Sequence, residues 1–183
     1  GYDVRALPRR NVLVTSSFTG WNNYMMDLGK MMADAEAMKR FGNTMVVWDL
    51  HTRKPKQVFD VPGAPLEIRC AWGASNDWCI TSTALTSKLW LLYDAGEKGW
   101  QAKEVADIAD ASKVPLPVDI SISADDSRLW VNTWNDGVTR LFDLPAGKVD
   151  VIPHGIDLSE GTVSADDVSA ARARSAAAAP MVL

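Results

Sequence analysis

The sequence predicts an all-β fold made of four-stranded antiparallel β-propeller blades, with one helical insertion. Three observations carry that prediction: a strand ending in aspartate that recurs at blade spacing, a branched and aromatic strand ahead of each, and polar turns between them. The recurrent endings are Met45-Val46-Val47-Trp48-Asp49-Leu50, Leu89-Trp90-Leu91-Leu92-Tyr93-Asp94 and Val138-Thr139-Arg140-Leu141-Phe142-Asp143-Leu144. Their aspartates stand 45 and 49 residues apart in the numbering (49, 94, 143). Propeller blades repeat at about 40–50 residues.

The strands before these endings are 12–16, 79–83 and 130–134, each rich in Val, Ile, Thr or Trp. In the third repeat the turn Ser123-Ala124-Asp125-Asp126-Ser127-Arg128 precedes this strand. Asp and Ser side chains there bond nearby backbone and tolerate turn geometry. Ahead of it, Val118-Asp119-Ile120-Ser121-Ile122 alternates apolar and polar residues, and 148–152 reads as a closing fourth strand. On this count residues 1–61 give three strands or fewer of a first blade, 62–110 a second blade and 114–153 a third. A blade cannot bury both faces alone, and closed propellers use roughly four to eight. Three blades leave edges open to aggregation. The expectation is a partial propeller over 1–156, completed by the remainder of a larger propeller or by a partner chain.

One connection is long. Residues 18–43 separate the second and third strands of the first blade, where the third repeat has only Asn135-Asp136-Gly137. Ala, Met, Glu and Lys in this insertion favour short helix. Its five methionines are either soft copper ligands or, as the simpler reading, flexible apolar packing residues. Trp21 stands apart from the strand tryptophans and is a candidate to cap a pocket; Trp72, Trp90, Trp130 and Trp134 are mostly placed on strands, packing between blades. Beyond 157 the chain becomes alanine-rich, and residues 157–183 are expected to be helical or poorly ordered.

Composition excludes several classes. With 47% hydrophobic and 23% charged residues the chain is not globally disordered. A net charge of −4 without a Lys/Arg cluster argues against nucleic acid. No apolar run nears the roughly 18 residues that span a bilayer. At Gly1-Tyr2-Asp3 there is no start methionine and no signal peptide to read. No phosphate loop, nucleophile elbow or metalloprotease helix is present.

The candidate functional residues are polar groups on the first strands of blades. Glu67 and Arg69, at i and i+2, share one face of a strand that borders a propeller's central channel. They are a structural ion pair, or with Asp119 on the matching strand of the next blade they line a place for a ligand or metal. Cys70 and Cys79 flank a turn. They are expected as two buried free thiols, with a disulfide as the alternative, because a one-residue slip of register separates their faces. His51 reads as a solvated turn residue and His154 follows the last strand; the two make no metal motif.

The runs Gly1-Tyr2-Asp3, Pro8-Arg9-Arg10-Asn11-Val12, Val47-Trp48-Asp49, Pro65-Leu66-Glu67-Ile68-Arg69 and Asp119-Ile120-Ser121-Ile122-Ser123-Ala124-Asp125-Asp126 resemble, in this order, the selenium-binding proteins. The resemblance runs from residue 1 to about 144. It implies a β-propeller of the methanethiol oxidase kind, converting methanethiol, oxygen and water into formaldehyde, hydrogen sulfide and hydrogen peroxide with copper as the metal. A small sulfur or selenium compound is then the implied partner, and the periplasm the implied location, with the cytoplasm as alternative. The chain departs from the family pattern at three histidine positions, now Arg10, Trp72 and Asp136. Those losses leave open a second reading: a non-catalytic propeller that binds a small ligand, a metal or a protein as a subunit of an assembly.

Overall fold

In the computed structural model, residues 1–144 and 152–153 are described. They form three four-stranded antiparallel sheets in simple sequential order. The first contains β1 (Val4–Leu7), β2 (Val12–Ser16), β3 (Thr44–Asp49) and β4 (Pro55–Asp60). The second contains β5 (Pro65–Cys70), β6 (Trp78–Thr83), β7 (Lys88–Asp94) and β8 (Trp100–Asp107). The third contains β9 (Pro117–Ile122), β10 (Arg128–Thr133), β11 (Thr139–Asp143) and β12 (Ile152–Pro153). The expected tail, residues 157–183, lies outside the described residues, as do 148–151 of the expected fourth strand and His154.

The first blade thus has four strands rather than three or fewer. β4 escapes a hydrophobicity reading because Pro55, Lys56, Val58 and Asp60 are all exposed. An outermost strand has little to bury, so its alternation is weak. The recurrent aspartates end the third strand of each blade, and two of them hold the turn that follows. Asp49 accepts the Thr52 amide at 2.8 Å and Asp94 the Gly96 amide at 3.0 Å. The repeat therefore marks a turn-capping device, not a site.

Blades stack face to face. Leu7, Val12, Val14, Met45 and Val47 of the first pack on Ile68, Cys79, Leu92 and Trp100 of the second, with Val61 of the linker between them. Ile80 and Leu89 of the second, with Ile108, pack on Ile120, Leu129, Val131 and Phe142 of the third. Each fully buried aliphatic or aromatic side chain contributes roughly 1.5–3 kcal/mol, so the two seams hold the blades in fixed register. The linker between the first two blades turns at Gly63, where φ is +100° and a Cβ would overlap the Thr86 side chain. Only glycine fits there without strain.

The insertion folds as three short helices, α1 (Trp21–Tyr24), α2 (Leu28–Ala33) and α3 (Ala35–Met38). Asp27 and Asp34 cap α2 and α3 by accepting the amides of Lys30 and Glu36. Met31, Ala37 and Phe41 are buried against Ala64 and Ala84, with Met26 and Met38 packed around them. Buried Asn23 ties the segment together, donating to Thr19 Oγ1 and the Ala37 carbonyl and accepting from Arg40. Among the described residues no helix is long and apolar enough to cross a membrane.

Candidate functional site: a charged network on the innermost strands

β1, β5 and β9 are the first strands of their sheets and lie side by side, which places their free edges on the axis of the propeller. Because side chains alternate along a strand, Glu67 and Arg69 point to one face of β5. The Arg69 guanidinium donates to Glu67 Oε2 at 2.7 Å and to the Ile68 carbonyl at 2.8 Å. Its second terminal nitrogen reaches Asp119 Oδ1 on β9 at 3.0 Å. Asp3, just before β1, has Oδ2 3.6 Å from Arg69 and 2.9 Å from Arg5. Arg5 also lies 3.7 Å from Glu67 and donates to the Ile68 carbonyl at 2.8 Å.

Glu67, Arg69 and Asp119 are therefore brought together, as their strand positions anticipate. Asp3, Arg5 and Tyr2 complete the group, and the sequence reading missed them. The signal available was position: residues 3 and 5 sit on the first blade as 67 and 69 sit on the second, again at i and i+2. Asp3 and Glu67 are nearly buried, with side chains 11% and 16% exposed, whereas Asp119 is half exposed at 50%. Burial raises the Tyr2 hydroxyl above its ordinary pKa, helped by the negative charge of Glu67 and a hydrogen bond to it. The phenol therefore stays protonated and serves as a donor. Together the three carboxylates outnumber the two guanidiniums by one negative charge.

The network is anchored from behind. Asp3 Oδ2 accepts the Ile68 amide at 2.8 Å, and Ser16 Oγ donates to the Leu66 carbonyl at 2.7 Å while accepting from the Asp3 amide. The bonds to Ile68 and Leu66 cross the seam between the first two blades, so the charged groups are fixed by backbone as well as by each other.

The three positions at which the resemblance leads one to expect histidine do not converge. Arg10 lies in the β1–β2 loop and Trp72 in the β5–β6 loop, at the same end of the blades. Asp136 lies in the β10–β11 turn, at the opposite end. Six-residue β10 separates the two ends by about 20 Å at 3.3 Å per residue. Arg10 clamps the second blade, donating to the Ser75 carbonyl at 2.8 Å and pairing with Asp94 at 3.1 Å and Asp77 at 3.8 Å. Trp72 is 68% exposed, and its loop is held by Asp126, which accepts the Trp72 and Gly73 amides at 2.9 and 2.8 Å. Asp136 pairs with Arg140 at 2.7 Å and accepts from Thr133 Oγ1. Burial alone would raise its pKa, but bonds from Arg140, Thr133 and Val138 outweigh it and lower the value.

Trp72 and Trp134 stand exposed on loops rather than packing between blades; of the strand assignments, Trp90 and Trp130 hold. Trp21 is 75% exposed and with Tyr2, Tyr24 and Thr19 lines an open groove of 440 Å³ at the insertion end of the first blade.

Cys70 and Cys79 are not free thiols: they form a disulfide. The reason is register, since Cys70 and Cys79 are directly opposed Cα partners between β5 and β6. Directly opposed side chains on antiparallel strands share a face, which the sequence alone did not fix. His51 is exposed in the β3–β4 turn, its amide held by Asn11 Oδ1 at 3.0 Å. Among the described residues no group of three or more His, Cys, Asp or Glu side chains is arranged to hold a metal ion.

Comparison with known proteins agrees with this architecture. A methanethiol oxidase of Ruegeria pomeroyi is 67% identical over 146 residues, and one of a Hyphomicrobium species 60% identical over 144. Each alignment covers 79% of this chain, which spans 33% of the length of either relative. A solved hypothetical selenium-binding protein of Sulfolobus tokodaii superposes with a TM-score of 0.69 at 23% identity, covering 83% of this chain and 37% of that one. At that identity the superposition speaks for the fold. The model of the 56 kDa selenium binding protein family matches residues 1–183, and the chain belongs to that family.

Proposed function

We propose that this chain is the part of a methanethiol oxidase that supplies three adjacent blades of its propeller. The whole protein would convert methanethiol, oxygen and water into formaldehyde, hydrogen sulfide and hydrogen peroxide. The observation that carries the reading is the 67% and 60% identity to two proteins named methanethiol oxidase, across most of this chain. The blades that complete the ring would come from the rest of the polypeptide, since the matched stretch is only 33% of the length of either relative.

The role of this segment in that enzyme is structural and electrostatic. Its charged network sits on the axis, where a small neutral thiol would pass a wall of fixed ion pairs. Copper is the metal that the family implies, and the donors on this segment do not fit it. Copper favours imidazole and soft sulfur. Here both cysteines are bonded to each other and the channel carboxylates hold guanidiniums. No step of the reaction is therefore assigned to copper on these residues.

A periplasmic location is supported by the disulfide, because such bonds persist in oxidising compartments and are rare in the cytosol. The deciding experiment is turnover by the purified full-length protein. Methanethiol should yield sulfide, peroxide and formaldehyde in equal amounts; none of the three products above a no-enzyme control sinks the oxidase reading.

A further inference from the structure

We propose that Arg69 occupies the point of the channel where carboxylates from three blades converge, and that residues 1–144 give the enzyme's copper no ligand. The inference rests on the metal reading above. Asp3, Glu67 and Asp119 come from the first, second and third blades, and the Arg69 guanidinium lies 3.6, 2.7 and 3.0 Å from them. A planar guanidinium distributes donors to several carboxylates at once, which a point cation does only by direct ligation. With Arg69 in place and Arg5 beside it, a metal ion there would meet two fixed positive charges at close range.

Most other soft or imidazole donors of these blades are committed elsewhere, and the exposed Met25 and half-buried Met32 lie in the insertion rather than on an innermost strand. Cys70 and Cys79 are joined to each other. Met26 Sδ accepts from Arg40, and Met31 and Met45 are buried among apolar side chains. His51 lies in the turn joining the two outer strands β3 and β4, away from the axis. Copper in the whole protein is then ligated by residues outside this stretch. These three blades contribute a rigid wall with one excess negative charge, which favours a cation held further along the axis.

The test uses the full-length protein purified with its metal. Copper per chain is measured by mass spectrometry, and the Cu(II) environment by electron paramagnetic resonance. Glu67→Gln, Asp119→Asn and His51→Ala are expected to keep the wild-type copper content and the wild-type spectrum. Loss of one equivalent, or a shifted hyperfine coupling, in any of the three overturns the inference. A wild-type protein without copper overturns the metal reading itself and this inference with it. Asp119 is half exposed, so its isosteric replacement keeps the test open even if Glu67→Gln fails to fold.

Discussion

Arg69 Nη2 lies 3.0 Å from Asp119 Oδ1, so one charged bond joins the innermost strands of the second and third blades. The same guanidinium holds Glu67 and approaches Asp3, which extends the link to the first blade. Removing it leaves the nearly buried Glu67 without its main partner and takes a second cation from Asp3, which keeps Arg5. Arg69→Met should therefore destabilise the whole protein by about 2–3 kcal/mol. Asp119→Asn, at a half-exposed end of the network, should cost only about 0.5 kcal/mol. Denaturant unfolding of both variants checks the contrast, and equal losses would show that the pairs carry no graded burial.

The disulfide between Cys70 and Cys79 closes the loop that carries Trp72, which Asp126 and Arg10 hold by its backbone. A cross-link closing so short a loop is worth about 2–3 kcal/mol in the chain-entropy account. Cys70→Ser with Cys79→Ser should lower the melting temperature by an amount that added reductant does not increase. Wild type should melt lower once reduced, and should show no thiol titre from this pair when unfolded without reductant. A full thiol titre from both residues would refute the bond.

Much of the architecture was legible because it rests on local rules. The aspartates 49, 94 and 143 marked the third strand of each blade, and the alternation in 118–122 marked an innermost strand. β4 was not legible, since an exposed strand shows no hydrophobic period. Neither was the disulfide, because opposing Cys70 to Cys79 depends on a register that hairpin sequence does not fix. Glu67, Arg69 and Asp119 could be placed on matching strands from the sequence. Their convergence with Asp3 and Arg5 could not, since it depends on how three blades stack around an axis.

Among the described residues Asp125 is the group whose ionisation is most perturbed. Hydrogen bonds from the Ser123 and Ser127 hydroxyls, then from the Ser127 amide, lower its pKa from 3.8 to about 2. The sign follows from linkage: a carboxylate whose pKa is depressed by folding stabilises the fold above the unfolded value, and the contribution is lost as pH falls through the folded value. The β9–β10 turn should thus be fully held above about pH 4 and loosen between pH 4 and 2. Carboxyl chemical shifts in a pH titration should place the Asp125 midpoint near 2, and Ser123→Ala should move it upward. A midpoint unchanged by that substitution would remove the serine hydroxyls as the cause.

Gly42 closes the insertion against the strand that begins it. Its amide donates to the Phe18 carbonyl at 2.8 Å, and its carbonyl accepts from Ala64 at 3.0 Å, joining the insertion to the linker into the second blade. The backbones run so close that a Cβ at residue 42 would overlap the Ser17 carbonyl, which belongs to main chain and cannot rotate aside. Gly42→Ala should therefore push the two strands apart and cost about 2–3 kcal/mol, as overpacking at an unyielding site does. The damage should be local, since Met31, Ala37 and Phe41 meet Ala64 and Ala84 through this junction while the two blade seams do not touch it. Hydrogen exchange is the discriminating measurement. Amides of 18–43 should lose protection in the variant while those of β6 and β10 keep theirs; uniform loss across all three blades would show that the insertion is part of the common core.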